Sequence, residues 1–183
     1  MSIRNAYAAL LLTALLQGCA SGDTALPPLS LVAPSAYTLG PGDELRVTVL
    51  GLDAMNNTYL VSDTGVISVP MLEPIDVKGK TVRDVEQDLC EAILLRQLVL
   101  APKVNAQIQV YRSFFISGEV QRPGQYAYVP GMSVTAAVAV AGGYTFRANK
   151  KQVAVTRGAV RGVAGQTAVV LPGDEILVGE RWF

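Results

Sequence analysis

The 183-residue chain contains no histidine. That removes the commonest general base and the commonest metal ligand at neutral pH. Cysteine is nearly absent too, with Cys19 and Cys90 only. A catalytic thiol would want a histidine beside it, so Cys90, on a predicted helix beside Leu89 and Ile93, reads as a small apolar packing residue. Charge of one sign is missing: Lys plus Arg and Asp plus Glu each number 15. A near-neutral chain offers no basic field for nucleic acid, and none is expected as a partner. Long apolar runs are also absent. Ala6–Leu16 falls short of the roughly 20 residues needed to span a bilayer, and Ile93–Ala101 is interrupted by Arg96 and Gln97. No glycine-rich phosphate loop or Gly-x-Ser-x-Gly occurs. Paired carboxylates for glycoside cleavage have Asp43, Glu44, Asp174 and Glu175 as candidates. Yet sequence neighbours at the start of a strand point to opposite faces, and base, nucleophile and orienter do not occur together. The expectation is a non-enzyme without cofactor or metal.

What is present begins at the N-terminus. Arg4 precedes the apolar Ala6–Leu16, and Leu16-Gln17-Gly18-Cys19 closes it with a small residue before a cysteine. This is the pattern of a secretory signal over residues 1–18 with cleavage between Gly18 and Cys19. It resembles the lipobox of bacterial lipoproteins, which implies acylation of Cys19, palmitate included. Each buried acyl methylene contributes about 0.8 kcal/mol, so several chains together hold a protein to a bilayer. Ala20, where an aspartate would favour inner-membrane retention, points through that resemblance to the outer membrane. Residues 19–36 lack periodicity and carry Pro27, Pro28 and Pro34, a tether between lipid and fold.

The body reads as α+β. Gly40-Pro41-Gly42-Asp43 is turn chemistry leading to the alternation of Leu45, Val47 and Val49. Strands are expected at Tyr59–Val61 and Val66–Val69. Thr81 and Asp84 stand at N-cap and N3 of a helix with Val82, Val85, Leu89 and Ile93 on one face, stopped by Pro102. Val104, Ala106, Ile108 and Val110 alternate with Asn105, Gln107 and Gln109, whose uncharged face suits a solvated sheet or a hydrogen-bonded sugar. A boundary near Tyr111–Ser113 separates residues 37–111 from 112–183. Beyond it come strands at Phe114–Val120 and Gln125–Val129 around a Pro123-Gly124 turn, and a helix Val134–Ala141 capped by Ser133 and ended by Gly142-Gly143. Further strands are expected at Val153–Thr156, Ala168–Leu171 and Ile176–Val178. Pro172-Gly173-Asp174-Glu175 echoes Pro41-Gly42-Asp43-Glu44, which a shared turn before a strand explains without duplication.

These pieces, in this order, resemble a known family. Tyr37 through Val47, Ser62 through Pro70, Val77 through Glu86 and Pro102 through Ile108 are similar to the polysaccharide biosynthesis/export domain of bacterial outer-membrane lipoproteins of the Wza and GumB type. Ile116 through Tyr126, Ala141 through Tyr144 and Leu171 through Val178 resemble the soluble ligand-binding β-grasp (SLBB) domain that follows it. The resemblance implies a small export domain with a mixed sheet and one main helix, then a β-grasp-like domain. It also implies a ring-shaped homo-oligomer, an octamer, facing the periplasm, through which capsular polysaccharide or exopolysaccharide passes. An inner-membrane polysaccharide copolymerase is the implied partner. Larger members carry a further C-terminal amphipathic helix, whereas this sequence closes on Arg181-Trp182-Phe183 and is similar to the shorter, gum-type members. Trp182 and Phe183 suit a lipid interface, the core or a subunit contact. A second reading stays open: a monomeric lipoprotein binding glycan or peptidoglycan, with Tyr126, Tyr128 and Tyr144 as stacking platforms.

Overall fold

Alternating burial along Leu45, Val47 and Val49 places β1 (Glu44–Val49) at the centre of a three-stranded sheet. β2 (Asn57–Leu60) pairs on one side and β5 (Val104–Val110) on the other, both antiparallel. The computed structural model describes residues 27–28 and 36–181. Between β1 and β2 a 3-10 turn, Asp53–Met55, buries Met55, whose carbonyl accepts from the Tyr59 hydroxyl at 2.8 Å. β3 (Val66–Ile67) and β4 (Ile75–Asp76) form a separate antiparallel pair. Pairing in this half is antiparallel throughout.

Helix α1 (Val82–Leu95) begins at Thr81 in a reciprocal capping box: the Asp84 amide donates to the Thr81 hydroxyl, and the Thr81 amide donates to the Asp84 carboxylate at 2.9 Å. The two Thr81 hydrogen bonds hold the Asp84 carboxyl below its ordinary pKa. The helix packs on β5 through buried Val85, Leu89 and Ile93. Its end differs from the expectation at Pro102. Gln97 takes a left-handed φ of 54°, its amide donates to Leu94, and the Leu98 amide donates back to Ile93 at 3.2 Å. This is a Schellman closure that satisfies the last carbonyls before the proline is reached. Glu86 also accepts from the outward-facing Ala106 amide at 2.8 Å, covering part of the β5 edge.

The second half is a five-stranded sheet in the order β7-β6-β10-β8-β9. Its strands are β6 (Phe114–Gly118), β7 (Gly124–Tyr126), β8 (Val153–Arg157), β9 (Val160–Ala164) and β10 (Glu175–Val178). β10 runs parallel to β6 and every other pair is antiparallel. Helix α2 (Val134–Val140), capped by the Ser133 hydroxyl, covers one face. Val134, Ala137 and Val138 pack there with Phe114, Ile116, Val153, Val155, Ile176 and Val178. A separate core holds Leu39 through Ala106. Two sheets, each buried on one face, with helices on those faces make an α+β protein.

One strand expectation is corrected, and an unexpected edge strand appears. Ala168–Leu171 joins no sheet strand; it runs beside the start of α2, where Val134 donates to Ala168 at 2.9 Å and Val170 donates to Met132 at 3.0 Å. The edge strand is instead Val160–Ala164, returned onto β8 by a tight turn at Gly158-Ala159. Its outer edge meets the tether: the Val163 amide donates to the Pro27 carbonyl at 2.9 Å, and Pro28 bridges Val163 in parallel. Among the described residues no helix is long and apolar enough to cross a membrane.

The capping box yields a simple test. Thr81→Ala removes the hydroxyl acceptor of a helix whose buried face fills the first core. Urea unfolding is expected to show a loss of about 1 kcal/mol, largely restored by Thr81→Ser.

Candidate functional site

Two turns of the same build meet at the junction of the cores. In Gly40-Pro41-Gly42-Asp43, proline sets φ at the second position and Gly42 takes φ 88°, as a type II turn requires. The Asp43 amide donates to Gly40 at 3.2 Å. In Leu171-Pro172-Gly173-Asp174, Gly173 takes φ 83° and the Asp174 amide donates to Leu171 at 3.1 Å. Each aspartate then folds back to accept the amide of the first turn residue, Gly40 or Leu171, at 2.8 Å. Both carboxylates are fully buried. A buried charge needs a partner and satisfied lone pairs.

Asp43 obtains them from Tyr37, Gly40 and Arg112. The Tyr37 hydroxyl lies 2.8 and 2.7 Å from its two oxygens. The Arg112 amide donates to Oδ1 at 2.7 Å, and Arg112 Nη1 donates to Oδ2 at 3.0 Å. Burial, and then the Asp43 hydrogen bond, push the Tyr37 phenol far above its ordinary pKa of 10.0. Asp174 takes a two-point clamp from Arg157, Nε at 2.9 Å and Nη2 at 2.8 Å. The Tyr37 hydroxyl, the Gly40 and Arg112 amides and the Arg112 guanidinium occupy the roughly four acceptor positions of Asp43. Asp43 and Asp174 are thereby each engaged by the amide of their own turn and by an arginine. Glu44 is half-buried and Glu175 exposed.

Arg112 joins the turns. Besides Asp43 it donates from Nε to the Pro172 carbonyl at 3.2 Å, and its guanidinium lies 5.3 Å from the centre of the Tyr37 ring. A Cβ on Gly40 would stand 2.5 Å from Arg112 Nη1, and one on Gly173 would stand 2.9 Å from Nε, so both glycines admit the guanidinium. A cleft of about 380 Å³ opens beside it, lined by Lys78, Arg112, Arg157 and the two glycine turns. Two of its three cations are neutralised by Asp43 and Asp174, leaving Lys78 exposed at the rim.

The amides expected to face glycan lie on the open face of the first sheet. Asn105 is paired with Thr48 and Gln107 with Arg46, which in turn pairs with Thr58. All three amide residues are exposed, but Gln109 stands apart. The register slips between Glu44 and Leu45, so Gln109 occupies a β-bulge and Val110 beyond it is exposed. Pro123-Gly124 and Gly142-Gly143 do come together: Gln121 donates to Gly143 at 3.0 Å and Arg122 to Ala141 at 2.9 Å.

The tyrosines are packing residues. Tyr126 stacks on Phe114 and donates to Arg122 at 2.6 Å, Tyr128 meets Tyr111 edge-on, and the Tyr144 hydroxyl is buried without a partner among the described residues. Cys90 is half-buried on the flank of α1 with its Sγ 3.9 Å from the Pro102 carbonyl, outside the core expected for it. Gly18, Cys19, Trp182 and Phe183 lie outside the described residues. Arg112 and Arg157 were not legible beforehand, because their partners are remote in sequence. The repeated Pro-Gly-Asp was the available signal, since a buried carboxylate in each turn calls for a cation.

Comparison with known proteins fits this architecture. Residues 31–109 match the family described as polysaccharide biosynthesis/export protein, and residues 113–170 match the SLBB domain. The chain belongs to the polysaccharide biosynthesis/export family, with an SLBB domain following the export domain. It is 32% identical over 125 residues to the exopolysaccharide production protein ExoF of Rhizobium meliloti (strain 1021), covering 62% of this chain and 30% of that protein. It is also 32% identical over 120 residues to the EPS I polysaccharide export outer membrane protein EpsA of Ralstonia solanacearum, covering 63% of this chain and 31% of EpsA. The chain thus spans about a third of the length of these relatives.

Asp43→Asn removes the charge that Arg112 and the turn amides surround. A loss of about 3 kcal/mol is expected in urea unfolding, the order seen when one member of a buried ion pair is removed. A tyrosine whose pKa is raised on folding stabilises fully below its unfolded pKa and loses that contribution as pH rises past it. Stability should therefore fall between about pH 10 and 12, and fall less steeply in Tyr37→Phe. Unfolding midpoints across that range measure the difference.

Proposed function

We propose that this chain is a lipid-anchored outer-membrane component of a polysaccharide export conduit, assembled as a ring that carries polymer without reacting with it. The observation that carries the reading is the succession of an export domain and an SLBB domain over residues 31–170. The names of ExoF and EpsA support the polymer class, and that of EpsA supports the membrane. Acyl chains on Cys19 supply the anchor, and the body faces the periplasm. An inner-membrane copolymerase delivers the polymer. The open face of the first sheet, with Arg46, Thr48, Thr58, Asn105 and Gln107, is the lumen surface in this reading. It is wet, and its two charges, Arg46 and the half-buried Glu44, are of opposite sign, so it hydrogen-bonds passing sugars without holding them.

Deleting the gene is expected to abolish surface polysaccharide while its synthesis continues, with polymer retained inside the cell. Mass photometry of the detergent-solubilised chain should give a defined multiple of the subunit; a lone subunit would favour a monomeric glycan binder. Asn105→Ala with Gln107→Ala should lower surface polysaccharide severalfold while unfolding free energy changes by less than about 0.5 kcal/mol, as at other exposed positions. Cys19→Ser should release the chain from the membrane fraction.

A further inference from the structure

Phe146 leaves 89% of its surface in water, yet the loop that bears it is firmly held. The Arg147 amide donates to the Thr145 hydroxyl at 3.3 Å, and Thr145 in turn hydrogen-bonds Glu119. The loop then pairs with the end of the chain beyond β10: Asn149 donates to Gly179 at 2.8 Å, Arg181 donates to Arg147 at 2.7 Å, and Ala148 bridges Glu180. Asn149 accepts the Lys151 amide at 3.0 Å, and Gln166 donates to the Lys150 carbonyl. Phe146, Ala148, Asn149, Lys150, Lys151 and Arg181 line a cleft of about 510 Å³.

The two lysines of this cleft are not balanced from within. Glu180 is taken by Arg147 at 2.9 Å. Lys150 and Lys151 are exposed, and neither ammonium has a carboxylate partner among the described residues. The cleft at the core junction differs in this respect, since Asp43 and Asp174 answer its arginines. Here an apolar ring, a side-chain amide and two unanswered ammonium groups converge on one concavity with a fixed floor. An aromatic face suits the C–H face of a pyranose, an amide suits its hydroxyls, and ammonium groups suit a carboxylate. Concave sites with an apolar platform and a few convergent polar groups are where small ligands bind.

We propose that this cleft is a subsite for an acidic sugar, a uronate or other carboxylate-bearing residue of the transported polymer, stacked on Phe146 and paired with Lys150 and Lys151. This deepens the export reading and rests on it. The site lies in the SLBB half, apart from the neutral amide face of the first sheet. It would make the conduit selective for acidic chains at one place while the wall elsewhere stays indifferent.

The test uses the full chain in detergent over immobilised short alginate oligomers, with dextran oligomers as the neutral probe and phosphatidylglycerol vesicles as the membrane probe. Alginate should bind in preference to dextran, and binding should weaken between about 50 and 300 mM salt through screening of the lysines. Lys150→Gln with Lys151→Gln should weaken it about tenfold, the order expected for two exposed ion pairs. Phe146→Ala should weaken it severalfold, whereas Lys103→Gln, on the other core, should leave it unchanged. The proposal falls if dextran binds as well as alginate, if the double lysine variant retains alginate binding, or if only the vesicles bind. The export reading is judged separately: a deletion strain that loses surface polysaccharide upholds the conduit even when this subsite fails.

Discussion

Arg112 reaches turns that lie 60 and 69 residues from it along the chain, donating to Pro172 on one side and Asp43 on the other. A fully buried carboxylate costs several kcal/mol of desolvation unless its charge is answered. Asp43 therefore requires Arg112 to stay near, and Arg112 in turn seats the Pro172 turn against the first core. Arginine suits this position because its planar fork offers donors in several directions at once. The same requirement accounts for the small residues around it. Gly40 and Gly173 each leave room where a Cβ would collide with the guanidinium. The relation between the two cores thus follows largely from the solvation needs of one carboxylate.

Much of the framework was legible wherever a local signal was complete. Thr81 with Asp84 fixed the start of α1 because both halves of the capping box are local, and Val104–Val110 alternated cleanly enough to define β5. The end of α1 was misplaced because Gln97, not a glycine, takes the left-handed position. The edge strand Val160–Ala164 went unread because Gly162 and Ala164 dilute its β-branched pattern. Ala168–Leu171 has the composition of a strand, but its backbone partners are Met132 and Val134, at the start of α2. Tertiary position settled that case, as it commonly does for short apolar runs. The bulge at Gln109 was likewise invisible, since alternation by itself carries no register.

The two sheets divide their surfaces differently. The open face of the first carries Glu44, Arg46, Thr48, Thr58, Asn105 and Gln107, with exposed Leu60 and Val110 at its end. The open face of the second carries exposed Phe115 and Leu177 beside Glu175 and Arg161. Tyr126, Tyr128 and Tyr144 are partly buried and pack against the second core. Phe146, almost wholly exposed, presents the more open aromatic face.

The bond from Val163 to Pro27 has a geometric consequence. Pro27 follows Cys19 by eight residue steps, and a fully extended chain of that length reaches at most about 28 Å. Acyl groups at Cys19 would therefore leash the β9 edge close beneath the lipid headgroups, while the opposite half of the protein hangs farther into the aqueous space. With such an anchor, a pull on the membrane would load the flank of the five-stranded sheet first, through an edge strand that pairs with β8 over five residues.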